Sequence, residues 1–231
     1  MSMQTNDQPQ RDSLETGARY LATDLAAMVM TDGSAGRCAV PTRDAADALD
    51  VARVLADAAH YLSSLHGRHP GVVDMASLRR GAEPVGRWFG QAIAGFEGER
   101  LYLTRLVVAA GPMPSTPGQA SADSAIAGQR QAIELLARSD RAGCALGAAA
   151  GLVLDWQAIR PLLDAVALRF DVALQPYRLP GQAETLEAVT TVAATSQTIA
   201  RAIRFGAEQM LAQHRHLWDL LDARRSARRG L

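Results

Sequence analysis

The chain has 231 residues, 48% of them hydrophobic, with 24 acidic and 24 basic side chains and a formal net charge of zero. That length and apolar content suit one sizeable core, and the charge balance supplies no field to draw nucleic acid or an anionic membrane. Every basic residue is arginine, which excludes Schiff-base chemistry on a lysine and a phosphate-binding P-loop with its lysine.

Residues 1–12 are polar, read as a disordered tail, and lack the basic-then-apolar layout of a signal peptide. The two cysteines, Cys38 and Cys144, are far apart and form no CxxC pair, so neither a disulfide framework nor a thiolate zinc site is expected. Together these features suggest a reduced, cytoplasmic protein. A single domain is expected over 13–226, with a short tail over 227–231. Ser13 is placed to cap a first helix from Leu14 to Met30, whose Ala18, Leu21, Leu25 and Met28 keep helical spacing. Thr31 to Pro41 reads as a loop, and Thr42 as the cap of a second helix that runs to His66. Gly67, Pro70 and Gly71 end that helix and offer the His66 ring at its terminus.

On the second helix Leu55, Ala59, Leu62 and His66 share one face, so His66 points with the core residues. Asp57 and His60 fall on the other side, with Arg53, and are expected to be solvated. Val72 to Arg80 forms a short helix in this reading, broken by Gly81 to Pro84. From Val85 to Ala110 a continuous stripe of Val85, Trp88, Ala92, Phe96, Leu103 and Leu106 marks a long helix. Glu99 interrupts that stripe, and a carboxylate there needs Arg100, Tyr102 or a group from another helix to make its burial tolerable.

Gly111 to Asp123, rich in Pro, Gly and Ser, reads as the longest internal loop. Helices are expected at Ser124 to Arg138, Arg141 to Leu154 and Ala158 to Leu174, with Asp155 and Trp156 ending the second of these. The run from Gly143 to Gly151 carries almost no side-chain volume apart from Leu146, so backbones can approach closely there, at the centre of the bundle or in a cavity wall. Its apolar stretch, Cys144 to Leu154, is too short to cross a bilayer. A last helix is expected over Gln182 to Ala223, with a bend at Val189 to Val192. His214 lies on its apolar line with Met210, Leu217 and Leu221. The arginines of 224–229 suit a helix C-terminus, where cations meet exposed carbonyls.

His66, Glu99 and His214 thus come from three helices, each on an apolar face, and inward polar groups on facing helices are how bundle sites are built. Two chemistries fit that set. In the first, a histidine moves a proton with Glu99 as its counterpart, Tyr61, Trp88 and Tyr102 hold an apolar or aromatic substrate, and Arg68 or Arg100 binds a carboxylate. In the second, His66, Glu99 and His214 bind a mononuclear iron of the two-histidine, one-carboxylate type. A ferritin-like di-iron site, with two E-x-x-H pairs on separate helices, is absent from the sequence.

The segments Leu65-His66-Gly67-Arg68-His69-Pro70-Gly71, Ala110 to Gln119, Gly143 to Ala149 and Gln213 to Leu221 resemble those of an uncharacterised family of small, soluble, all-α bacterial proteins. The likeness covers most of the chain after the first dozen residues. It transfers no catalytic residue. It implies a setting in bacteria that live on aromatic compounds, lignin fragments included, and hence a catabolic enzyme acting on a small aromatic molecule.

The sequence therefore reads as an all-α, single-domain bundle of about seven to eight helices around a central apolar cavity. The expected function is a cofactor-independent acid/base lyase or isomerase, with His66, Glu99 and His214 catalytic. An iron-dependent oxygenase-like enzyme on the same residues and a non-catalytic interaction protein are the alternatives. The expected partner is a small aromatic molecule, with no nucleic acid or membrane and with a homodimer left open.

Overall fold

A computed structural model describes residues 8–38, 48–79 and 85–229. Among them are eight helices and no strand: α1 Gln8–Asp32, α2 Ala48–His66, α3 Val72–Ser77, α4 Gly86–Ala110, α5 Gln119–Ala137, α6 Cys144–Arg169, α7 Gln182–Ala193 and α8 Gln197–Arg229. The protein is an all-α bundle, and no helix among the described residues is long and apolar enough to cross a membrane.

Helix α6 is the axis on which the others pack. It is buried almost all round from Cys144 to Trp156, as a helix apolar on every side must be. Its small residues let α8 come within backbone contact. A Cβ on Gly147 would lie 1.9 Å from the Ile203 carbonyl oxygen, and one on Gly206 would lie 2.0 Å from that of Cys144. Gly143, just before α6, combines the same crowding with a left-handed φ of 94°, which a side chain would strain. The close approach expected for this small-residue run is thus made against α8.

Several boundaries differ from the sequence reading, each for a physical reason. Helix α1 begins at Gln8, inside the stretch expected as a tail, and α8 continues through 227–229 to Arg229. The Thr42 cap and the Gly81 to Pro84 break lie outside the described residues. Helix α5 starts at Gln119, so the loop after α4 is shorter than the Gly111 to Asp123 span. The two helices expected on either side of Asp155 and Trp156 are one: α6 runs through both and through Pro161. Asp155 and Trp156 face inward, each 0% exposed, and are not stop signals. The single long final helix is instead α7 and α8, parted at residues 194–196 and not at the β-branched run, which stays helical.

The second helix is also more enclosed than expected. Asp57 is 1% exposed because the end of α8 covers it: Arg224 Nη2 lies 3.1 Å from Asp57 Oδ1 and Arg228 Nη1 lies 2.5 Å from Oδ2. Arg224 is itself buried, so these arginines form internal ion pairs where the sequence suggested cations meeting the exposed carbonyls of a helix end. His60 is half-buried, with Nε2 at 2.9 Å from the Gly111 carbonyl oxygen. Asp57 and His66 on α2 thus face Arg224 and His214 on α8, two rungs about 14 Å apart between antiparallel helices.

Candidate active site

The second rung is the centre of the candidate site. His66, the last residue of α2, is held where Gly67 ends the helix with its N–H donated to the Ser63 carbonyl at 2.8 Å. His66 Nε2 lies 3.0 Å from Nε2 of His214, on α8. The other nitrogen of His214, Nδ1, lies 2.5 Å from Oδ2 of Asp155, on α6. Asp155 accepts two further hydrogen bonds, from the Ser34 N–H at 2.6 Å and from the Ser34 hydroxyl at 2.5 Å. The Ser34 oxygen in turn accepts the Trp218 indole N–H at 2.9 Å. Three helices and the turn after α1 therefore meet in one line of polar groups, Trp218 to Ser34 to Asp155 to His214 to His66.

Every carboxylate lone pair used here is matched by a donor, which is what makes burial of Asp155 and His214 at 0% exposure tolerable. Burial pushes the Asp155 carboxyl up, but the hydrogen bonds and charge of His214 and the two bonds from Ser34 outweigh it and hold Asp155 below the usual aspartate value. His66 goes the other way. Burial, and then repulsion from His214, depresses its imidazole well below the ordinary histidine range, so it is neutral at physiological pH. Gly33 shows how tightly this is built: a Cβ there would meet Asp155 Oδ1 at 2.3 Å. Cys38, near the same carboxylate, is buried with its thiol donated to the Ala158 carbonyl; burial, then the charge of Asp155, pushes that thiol up to about 11.

His66 also lines a cavity of about 30 Å³, which extends from the interior to the turn after α2. Phe96 and Leu152 form apolar walls, and Arg68, Arg100 and Arg130 supply charge. The cavity is not the central, mostly apolar one expected from the sequence: it opens at the exposed turn after α2, charged side chains line it, and it is large enough only for a water-sized group. Among the described residues no donor or acceptor meets His66 Nδ1, the nitrogen not engaged with His214.

Glu99 belongs to a separate cluster. Its Oε2 accepts the Trp156 indole N–H at 2.9 Å and its Oε1 the Arg160 Nη1–H at 2.7 Å. Burial raises its carboxyl, with Trp156 and Arg160 opposing. Trp156 touches both centres, since its ring meets His66 edge-on at 5.4 Å, but no hydrogen bond links Glu99 to either histidine. Of the residues expected to bind substrate, Arg68 and Arg100 line the cavity. Tyr61 is buried beneath Arg224 and accepts from Gln119, Trp88 donates to Thr185, and Tyr102 donates to Asp164.

The donor set has consequences for a metal. The Nε2 atoms of the two histidines face each other, and Glu99 is engaged elsewhere. Among the described residues no group of three or more His, Cys, Asp or Glu side chains is placed to hold an ion. The carboxylate that meets the histidines is Asp155, which the sequence reading took for a helix end. A signal for it existed: Leu152, Asp155 and Ile159 keep the three-and-four spacing of one helix face. Trp218 carries the same signal, four residues after His214 on the line of Leu211 and Leu221; Ser34, in a turn, carries none.

A protein-family model described as a family of unknown function, DUF6975, matches residues 29–229. No curated protein and no solved structure matches the chain.

Proposed function

The chain belongs to DUF6975, and from its own residues we propose that it is an enzyme that moves a proton on a small molecule, a lyase or isomerase with His66 as the group that touches substrate. The observation that carries this reading is that the Asp155–His214–His66 line ends on a cavity, with a ring nitrogen left over.

The chemistry follows from the proton inventory. With Asp155 ionised, His214 carries its proton on Nδ1 and donates it to the carboxylate. With His214 Nε2 as the acceptor of His66 Nε2–H, His66 presents a lone pair at Nδ1. A proton taken from substrate at Nδ1 then makes His66 release its Nε2 proton to His214, so the positive charge settles beside Asp155 and not in the cavity wall. Reversal of the same shift makes His66 Nδ1–H an acid. His66 is thus the catalytic base and acid, while His214 and Asp155 are positioning residues that absorb the charge.

The cavity volume favours a small reacting group. An aromatic ring, the class the family resemblance suggested, enters only if the segment from Arg68 to Met75 moves outward. The test is solvent exchange: incubation in D2O with a panel of small carbon acids and enols, with loss of C–H signals followed by proton NMR. At least one compound should exchange with the wild-type protein and not with His66→Gln. Exchange at the wild-type rate in His66→Gln, with the fold intact by circular dichroism, would refute the proposal.

A further inference from the structure

Asp155 uses its two oxygens unequally. Oδ1 accepts the Ser34 N–H, whereas Oδ2 is shared: the Ser34 hydroxyl and His214 Nδ1 both reach it at 2.5 Å. Two donors on one oxygen compete, because each draws on charge that the other would otherwise meet. The hydroxyl has no other direction to take. An ionised carboxylate only accepts and an indole only donates, so Trp218, whose Nε1–H meets Ser34 Oγ at 2.9 Å, leaves the Ser34 proton to Asp155. The turn that carries Ser34 is fastened on both sides. The Arg37 guanidinium pairs with Asp219 on α8 at 2.6 Å, and Cys38 Sγ donates to the Ala158 carbonyl on α6. Trp218 stands four residues after His214, so one face of α8 presents both the imidazole that Asp155 orients and the indole that orients its rival.

We propose that Ser34 and Trp218 are positioning residues of the relay: the indole aims and polarises the hydroxyl, and the hydroxyl limits how much of Asp155 Oδ2 is left to His214, which tunes how firmly the histidine pair holds a proton. Without the hydroxyl, the whole of that oxygen faces His214, the imidazolium beside Asp155 is better stabilised, and His66 becomes a stronger base but a weaker acid. With it, the pair stays balanced between taking a proton and returning it. The other ionisable groups around the pair are accounted for. Cys38 has its thiol pushed up to about 11 and stays protonated. Glu99, beyond Trp156, is paired with Arg160, Arg100 is paired with Asp74, and Arg68, Arg130 and Glu134 line the cavity. None of those contacts runs through the Ser34 hydroxyl or the Trp218 indole. The bearing of this tuning on catalysis rests on the proton-transfer reading, but the tuning itself is measured without a substrate.

The first protonation of the histidine pair should be followed in the full chain by imidazole carbon and nitrogen NMR, together with the His214 Nδ1–H resonance. Ser34→Ala is expected to raise the midpoint, by about threefold to tenfold in proton affinity, and to move the Nδ1–H signal downfield. Trp218→Phe should act in the same direction by about twofold. In a Ser34→Ala background it should change neither signal, because it acts through the hydroxyl. If Ser34→Ala does not fold, as judged by circular dichroism, the shift in Trp218→Phe decides alone. A midpoint unchanged or lowered in the folded variants, or the same Trp218→Phe shift with and without the hydroxyl, would overturn the inference. C–H exchange tests the proton-transfer reading and these titrations test the tuning, so either can fail without the other.

Discussion

Replacing Asp155 with asparagine keeps the shape of the side chain and changes what each neighbour must do. The carboxylate accepts from the Ser34 N–H, the Ser34 hydroxyl and His214 Nδ1, and an amide has only one oxygen to meet three donors. Bonds to a charged group contribute about 1.5–3 kcal/mol each against roughly 0.5–1.5 for neutral pairs, so Asp155→Asn should cost about 3 kcal/mol. For a chain of this length that corresponds to a fall of about 6–12 °C in Tm. The amide NH2 facing His214 Nδ1 also favours the opposite tautomer. His214 then donates from Nε2 to His66, and His66 must carry its proton on Nδ1, towards the cavity. Urea unfolding followed by circular dichroism measures the first effect, and long-range proton–nitrogen NMR of the imidazoles reads the second. A variant within 0.5 kcal/mol of wild type (roughly the spread of a neutral surface change), or one with unchanged tautomers, would refute the assignment of Asp155 as the group that orients the pair.

Three further outcomes follow. Because the folded protein holds His66 below its unfolded value near 6.5, the unfolded chain binds the proton first on acidification. The His66 contribution is therefore complete above about pH 6.5 and is lost as pH falls towards the folded value, so the urea midpoint of wild type should drop more steeply between pH 7 and 5 than that of His66→Gln. Glu99→Ala takes one of two carboxylate partners from Arg160, which keeps Asp164 at 2.9 Å, and should cost about 1.5–3 kcal/mol, while Glu99→Gln, read in the D2O assay, should leave C–H exchange near the wild-type rate. Gly147→Ala would place its Cβ 1.9 Å from the Ile203 carbonyl oxygen, forcing α6 and α8 apart, and should destabilise by about 3 kcal/mol in chemical denaturation; an unchanged midpoint would contradict the packing.

The helices were legible because their apolar residues recur with a period close to 3.6, and that period survives in a single sequence. What it hides is polarity turned inward. Asp155 and Trp156 were read as an end to α6 because a charged residue after an apolar run resembles a boundary, yet both are core residues whose partners come from distant parts of the chain. The gap between α7 and α8 escaped notice because Val192, Ser196 and Ile199 keep helical spacing across it. His66 and His214 stood out as imidazoles on apolar faces, and the structure brings them together. Glu99 met the same criterion, but its face turns to Arg160 and Trp156. Periodicity reports which way a side chain looks from its own helix; it does not report which neighbour lies opposite.

Asp57 lies midway along α2, nine residues before His66, and the arginines that grip it lie in the last turns of α8, beyond His214. A pair of rods lashed at one point sets the spacing at another, so the imidazole separation is governed partly by ion pairs about 14 Å away. Catalysis would then be sensitive to the last turns of α8: cutting the chain before Arg224 leaves every atom of the proton relay in place and frees the frame that keeps it in register.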